Sequence, residues 1–169
     1  MIENANSHPP YYYSLGLIEL LQKNYVQATT YFRQGILANP YVAEILTGRT
    51  SIITHRFWHG SSNMSPDLAI NFMETIGRQL WEKHDKAKEF LDWVFNCSAV
   101  LEERSKYVAC LEQLQSEHDF NKRGNIIKGY EMVFSNINDE TSQPLVKKIK
   151  TRDKVCWPWE ASGWHSFRF

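Results

Sequence analysis

Two histidines are the side chains whose spacing most directly suggests chemistry. His55 and His59 lie four residues apart, so they share one face if their segment is helical. Two imidazoles at that spacing can bind a metal ion. Arg56 occupies the place of the glutamate base in the zinc-protease pattern, and a third ligand would have to come from Asp67 or Glu74. The pair therefore supports an alternative interpretation only: a small metal-binding protein or enzyme.

The other reactive side chains give no catalytic pattern. The three cysteines are far apart and form no Cys-x-x-Cys pair, which predicts reduced thiols in a cytoplasmic protein. Two His-Asp pairs, at 84–85 and 118–119, lie at expected helix junctions, where capping explains them better than acid–base catalysis. Neither a GxGxxG nor a Gly-Lys-Ser/Thr phosphate loop occurs. We therefore predict a non-catalytic protein without a cofactor.

The elements that position these residues read as helices along nearly the whole chain. Apolar residues recur every three or four positions over 12–23, 25–38, 65–81, 87–95, 98–114 and 119–134. The stops at Asn24 and Asn39-Pro40 and the start at Ser65-Pro66 are typical helix boundaries. Short turns between helices favour antiparallel neighbours. The sequence predicts an all-α fold of stacked antiparallel helical hairpins.

Residues 9–42 resemble a tetratricopeptide repeat. An aromatic and a Leu-Gly pair stand in the first helix, small residues and an aromatic stand in the second, and a proline closes the unit. The matching residues are Tyr12, Leu15, Gly16, Ala28, Phe32, Gly35 and Pro40. Glu19 departs from the pattern, since the family prefers an apolar residue there. The resemblance implies an α-solenoid in which Gly16 and Ala28 allow close helix packing.

The rest of the chain follows the pattern more loosely. We divide the whole chain into a helical repeat domain over residues 1–135, with degenerate hairpins over 65–135, and a C-terminal region over 136–169. The hairpin containing Trp81 and Leu91 gives a faint similarity to the repeat regions of suppression-of-tumorigenicity-like proteins, which implies no activity. Residues 136–143 are polar and are predicted to form a linker.

The resemblance implies a function in protein–protein interaction, as a scaffold or adaptor. Members of the family bind a peptide or helix in a groove lined by their first helices. The matching positions here are Tyr13, Ser14, Leu17, Leu20 and Leu21. They lack the Lys, Asn and Arg that clamp a chaperone's terminal carboxylate, so no such partner is expected. The alternative is that these leucines pack against the chain's own next helix.

The C-terminal region combines charge with aromatic residues. Five cations lie within residues 147–154, and Trp157, Trp159 and Trp164 follow. The tryptophans could cap the helical stack, dock onto a partner, or stack on single-stranded nucleic acid. The whole chain has 19 basic and 19 acidic residues, and this neutrality argues against nucleic acid. No apolar stretch is long enough to predict a membrane span.

Overall fold

Helices form most of the chain, as the sequence predicts. The computed structural model describes residues 8–48, 54–57, 62–152 and 154–161. The all-α fold class is confirmed, because 73% of the described residues are helical and almost none of them form strands. The helices are α1 (Pro10–Leu21), α2 (Tyr25–Ala38), α3 (Pro40–Leu46), α4 (Pro66–Phe72), α5 (Arg78–Trp81), α6 (Asp85–Asn96), α7 (Ser98–Ser116), α8 (Phe120–Ser135) and α9 (Asp139–Ser142).

Shorter elements complete the described chain. A π-helical turn, Met73–Gly77, joins α4 to α5, so that a nearly continuous rod spans 66–81 where the sequence predicts one helix. Single 3₁₀ turns lie at Ser62–Met64 and Pro158–Glu160. Strands β1 (Ile149–Lys150) and β2 (Val155–Cys156) pair antiparallel as a small hairpin.

The boundaries of the first helices follow from proline and asparagine. Pro10 and Pro40 each occupy the first helical turn, where the missing N–H leaves no hydrogen bond unmade. Lys23 takes a left-handed conformation with φ of +66°, which ends α1 and reverses the chain. Asn39 ends α2 and caps α3, because its Oδ1 accepts a hydrogen bond from the Tyr41 N–H at 3.1 Å. The turn at Lys23 and the Asn39-Pro40 pair therefore set the two ends of α2 and, with Pro10, the limits of the first hairpin.

Two apolar clusters form the core. The larger joins α1, α2, α3, α4 and α6 around Phe32, whose ring lies 5.9 Å from that of Trp81 and 6.0 Å from that of Phe90. The smaller lies between α7 and α8 and includes Tyr107 and Leu111, together with Leu37 at the end of α2. Because α2 contributes to both clusters, it is the helix around which the others are arranged.

The segment predicted as a polar linker contacts α2 through two buried residues. The Ile137 side chain is buried, and the Gln34 side-chain amide donates to its carbonyl oxygen at 3.1 Å. Asn138 caps α9, whose last residue, Ser142, is fully buried. Of residues 136–143, Ile137 and Ser142 are buried and the other six are exposed. The Ser142 hydroxyl can be buried because Thr30 and Arg33 of α2 form hydrogen bonds with it.

A buried arginine lies at the centre of this contact. The guanidinium of Arg33, only 2% exposed, forms a two-pronged ion pair with Glu103 of α7. It also donates to the Ser142 hydroxyl at 2.6 Å and to that of Thr141 at 3.2 Å. The Thr30 hydroxyl lies 2.8 Å from that of Ser142. Because these groups satisfy the arginine, a charge can be buried between α2, α7 and α9.

Candidate interaction surface

The residues predicted to line a partner groove do not share one environment. Tyr13 and Leu17 are buried in the larger cluster, together with Tyr41 and Phe72 of the following helices. The Tyr13 hydroxyl donates to the carbonyl oxygen of Asn39 at 2.7 Å, and burial raises the pKa of Tyr13 well above its ordinary value. The prediction that these two residues contact a partner is therefore corrected, because the chain's own helices cover that face of α1.

The remaining three predicted groove residues lie nearer the surface. Ser14 is half-buried, and its hydroxyl donates to the carbonyl oxygen of Pro10 at 3.2 Å. Leu20 is half-buried against the core. Leu21 is 55% exposed at the end of α1. The structure thus leaves the last turn of the helix open to a partner.

A second line of apolar side chains on α1 is open to solvent along the length of the helix. Tyr11, Leu15, Ile18 and Leu21 are 56%, 36%, 49% and 55% exposed. Their spacing of four, three and three residues places them on one side of the helix. We call these four residues the α1 face. Only Leu21 belongs to the groove predicted from the sequence.

All the repeat-signature residues except Leu15 are buried. Tyr12, Ala28 and Phe32 are buried, as are Gly16, Gly35 and Pro40. Gly16 lies directly against the ring of Phe32, and a Cβ at Gly35 would lie 3.0 Å from the Tyr13 ring. These are the close approaches that small residues permit at a helix crossing. Leu15 differs, because it lies on the exposed α1 face.

A cavity adjoins the α1 face at the turn end of the first hairpin. It has a volume of about 680 Å³ and lies between the α1–α2 turn, the α5–α6 turn and the Pro158–Glu160 turn. Its apolar wall includes Leu20, Leu21, Tyr25, Phe90 and Trp159. Charged residues of both signs surround it: Lys23, Lys83, Asp85, Lys86, Glu89 and Glu160. We call this space the turn cavity.

The described tail tryptophans pack onto the helices. The rings of Trp157 and Trp159 are nearly parallel, with centroids 5.2 Å apart, and both lie within 5.1 Å of Tyr25. Trp159 also contacts Phe90 at 4.5 Å and Trp93 at 5.1 Å. The two tryptophans therefore cover the outer side of α2 and α6. Trp164 lies outside the described residues.

Only one histidine of the predicted metal-binding pair lies within the described residues, and it contacts one carboxylate. His55 Nε2 lies 3.6 Å from a carboxylate oxygen of Glu44, and its ring stacks on Phe57 with centroids 5.3 Å apart. His59 lies outside the described residues. Within the described ranges, no group of three or more His, Cys, Asp or Glu side chains is arranged to bind a metal ion.

The His-Asp pairs adopt local structural roles. Asp119 caps α8, accepting a hydrogen bond from the Lys122 N–H at 2.9 Å. Asp85 begins α6 and forms an ion pair with Lys88 at 3.0 Å. Ser65 caps α4 through a 3.4 Å contact with the Leu68 N–H. These polar residues therefore begin helices at the places that the sequence indicates.

Comparison with known proteins adds no further assignment. No protein-family model, no curated protein and no solved structure matches the chain. Among the described helices, none combines the length and apolar character needed to cross a membrane.

Proposed function

We propose that this protein is a non-catalytic interaction module, a scaffold or adaptor, that binds an amphipathic helix of a partner protein. The observation that carries the proposal is the α1 face, whose four large apolar side chains are exposed side by side. A continuous exposed apolar surface of this kind is typical of a protein-binding site. The first hairpin's resemblance to a tetratricopeptide repeat supports the same class of function, and the cysteine pattern supports a cytoplasmic location.

The chemistry of the α1 face favours a helix as the ligand. Its residues recur at the three- and four-residue spacing that lets one helix pack along another. Glu19 is the single charged residue within α1; it is half-buried and accepts a hydrogen bond from the Asn24 side chain at 2.8 Å. A partner helix can therefore bury an apolar stripe here without burying a charge of α1.

The turn cavity extends this surface at one end. Leu21 belongs to both, so a helix on the α1 face can place a terminal aromatic or aliphatic side chain in the turn cavity, against the wall that includes Tyr25 and Trp159. Aromatic residues that fill such pockets usually contribute most of the binding energy at an interface. The charged rim would then restrict the partner's polar residues at that end.

The test compares two pairs of substitutions at exposed apolar positions. Ile18→Glu with Leu21→Glu alters the α1 face, and Leu101→Glu with Met132→Glu alters α7 and α8. Those control residues are 45% and 63% exposed. All four residues are exposed, so we expect both variants to keep the wild-type circular dichroism and thermal midpoint to within about 2 °C.

Binding is then measured by affinity capture followed by reconstitution with the purified partner. The proposal requires a partner that the wild type and the control variant both bind, and that the α1 variant binds at least tenfold more weakly. Equal capture by the two variants would exclude the α1 face. A self-association that the α1 variant alone abolishes, seen by sedimentation, would assign the face to a second copy of the chain.

A further inference from the structure

The small hairpin formed by β1 and β2 concentrates positive charge in a chain that is neutral overall. Residues 147–154 contain five cations and one carboxylate, whereas the whole chain is neutral. Lys147, Lys148, Lys150, Arg152 and Lys154 are all exposed. Among the described residues, no carboxylate lies within ion-pair distance of any of them. We call residues 147–152 and 154–157 the basic hairpin.

The register of the strands arranges part of this charge on one face. Lys150 pairs with Val155 and Ile149 with Cys156, so the next pair is Lys148 with Trp157. Directly opposed residues lie on the same face, and alternate residues return to it. Lys148 and Lys150 therefore share a face with Trp157, and the Lys148 ammonium lies 5.1 Å from the centroid of that ring.

The hairpin is anchored rather than a free tail. Its turn is closed by Thr151, whose N–H and hydroxyl both donate to the Lys154 carbonyl oxygen at 2.9 Å. Its end is held by Trp157 and Trp159, which pack on Tyr25. Fixing the backbone in advance reduces the ordering cost when the cations bind a ligand.

From this arrangement we infer that the basic hairpin binds an extended acidic segment of a protein, with Asp or Glu at alternate positions. Strand geometry separates the Cα atoms of Lys148 and Lys150 by about 6.6 Å. An extended peptide repeats its side chains on one face at that same spacing. Each carboxylate can therefore face one ammonium group, and the surface is distinct from the α1 face.

Single-stranded nucleic acid fits this surface less well. Such ligands require aromatic rings on which bases stack. The ring of Trp157 is already stacked on Trp159 and lies beside the Lys148 ammonium, and the ring of Trp159 is packed on Phe90. The positive charges remain accessible, but the described aromatic rings are used to hold the hairpin in place.

The experiment measures the binding of defined anionic probes to the full chain. A synthetic peptide with alternating Glu and Thr is compared with a peptide of the same composition whose glutamates are contiguous. An oligothymidylate and vesicles containing anionic lipid are the other probes. Binding is followed by isothermal titration at low ionic strength and by tryptophan emission, to which Trp157, the ring beside Lys148, contributes as one of six tryptophans.

Two charge-matched variants identify the surface. Lys148→Gln with Lys150→Gln removes two cations from the hairpin, whereas Lys122→Gln with Lys128→Gln removes two exposed cations from α8. An exposed ion pair contributes a factor of roughly two to five in affinity, so we expect the hairpin variant to lose roughly four- to 25-fold. The α8 variant should retain wild-type affinity for the alternating peptide.

Four results would overturn the inference. They are no binding of the alternating peptide at low salt, equal binding of the contiguous peptide, tighter binding of oligothymidylate or vesicles, and equal weakening by the two variants. Tighter binding of oligothymidylate or vesicles would instead identify the hairpin as a nucleic-acid or membrane contact. None of these results depends on the α1 face, so the outcome is separable from that of the proposed function.

Discussion

The contact between Gly16 and Phe32 leads to a sharp prediction about one methyl group. A Cβ at residue 16 would lie 2.6 Å from Cδ1 of Phe32 and closer still to its Cε1. An ordinary contact begins at about 3.4 Å. The Phe32 ring is fully buried and is flanked by Trp81 and Phe90, so it cannot move without displacing them.

The magnitude follows from two opposing effects. Overpacking a filled core costs about 1–3 kcal/mol, and this rigid contact belongs at the upper end. Replacing glycine by alanine inside a helix returns about 1 kcal/mol. We therefore expect Gly16→Ala to lower the free energy of unfolding by about 2 kcal/mol. Gly124→Ala, in α8, has nothing within 4 Å of the added carbon and should raise it by about 1 kcal/mol.

Urea unfolding followed by circular dichroism at 222 nm measures both variants on the same scale. Thermal midpoints should move by about 4–8 °C downward for Gly16→Ala and about 2–4 °C upward for Gly124→Ala, given the size of the chain. Equal stabilisation by the two substitutions would refute the reasoning. It would mean that α1 and α2 do not approach each other as closely as the contact between Gly16 and Phe32 requires.

Three further predictions concern a buried ion pair, a turn and a buried tyrosine. Glu103→Ala should lower the free energy of unfolding by about 3 kcal/mol in urea titrations, because it leaves the buried Arg33 guanidinium without its carboxylate. The double variant Arg33→Met with Glu103→Leu should recover part of that loss. If the losses of the two substitutions simply add, the pairing is contradicted. Lys23→Gly should raise the free energy of unfolding by about 1 kcal/mol, because glycine adopts the positive φ without strain, whereas Lys23→Ala should not. Burial raises the pKa of Tyr12 to about 12, above the value near 10 in the unfolded chain. The contribution of the Tyr12 hydroxyl to the free energy of unfolding is therefore fully present below pH 10 and is lost as the pH rises through 12. Unfolding at pH 9 and pH 11.5, with phenolate absorbance at 295 nm, measures this fall, which Tyr12→Phe should reduce.

The helix boundaries could be predicted because their causes are local. Pro10, Pro40 and Pro66 can occupy a first helical turn, and Asn39 and Asp119 cap through atoms of their own neighbourhood. Such signals require no knowledge of the rest of the fold. The helix boundaries predicted from the sequence are accordingly close to those observed in the structure.

The orientation of α1 could not be predicted from its own sequence. The helix is apolar on nearly every side, with only Ser14 and Glu19 interrupting its aromatic and aliphatic residues. Periodicity identifies the core side of a helix only when the opposite side is polar. The choice between Tyr13 and Tyr11 as the buried residue depends on other segments, because Tyr13 packs against Gly35 of α2 and its hydroxyl donates to the carbonyl oxygen of Asn39.

The burial of Ser142 within the polar stretch 136–143 could not be predicted for a related reason. Polar composition predicts exposure, but a polar side chain can be buried when a partner elsewhere in the fold satisfies it. Ser142 is such a case, because its partners Arg33 and Thr30 precede it by more than a hundred residues. No local pattern in the sequence identifies that pairing.

The contact of α9 with α2 also has consequences for how the chain folds. In an array of repeats, each unit touches its neighbours alone, so folding can begin anywhere and spread along the chain. Here the Thr30 and Arg33 contacts span 108 to 112 residues, and a loop of that length must close before they form. The first hairpin therefore reaches its final stability only after the chain has been made past residue 142. During synthesis, the Arg33 guanidinium lacks its Thr141 and Ser142 partners until that late step, so the stability of the first hairpin depends on a segment more than a hundred residues away.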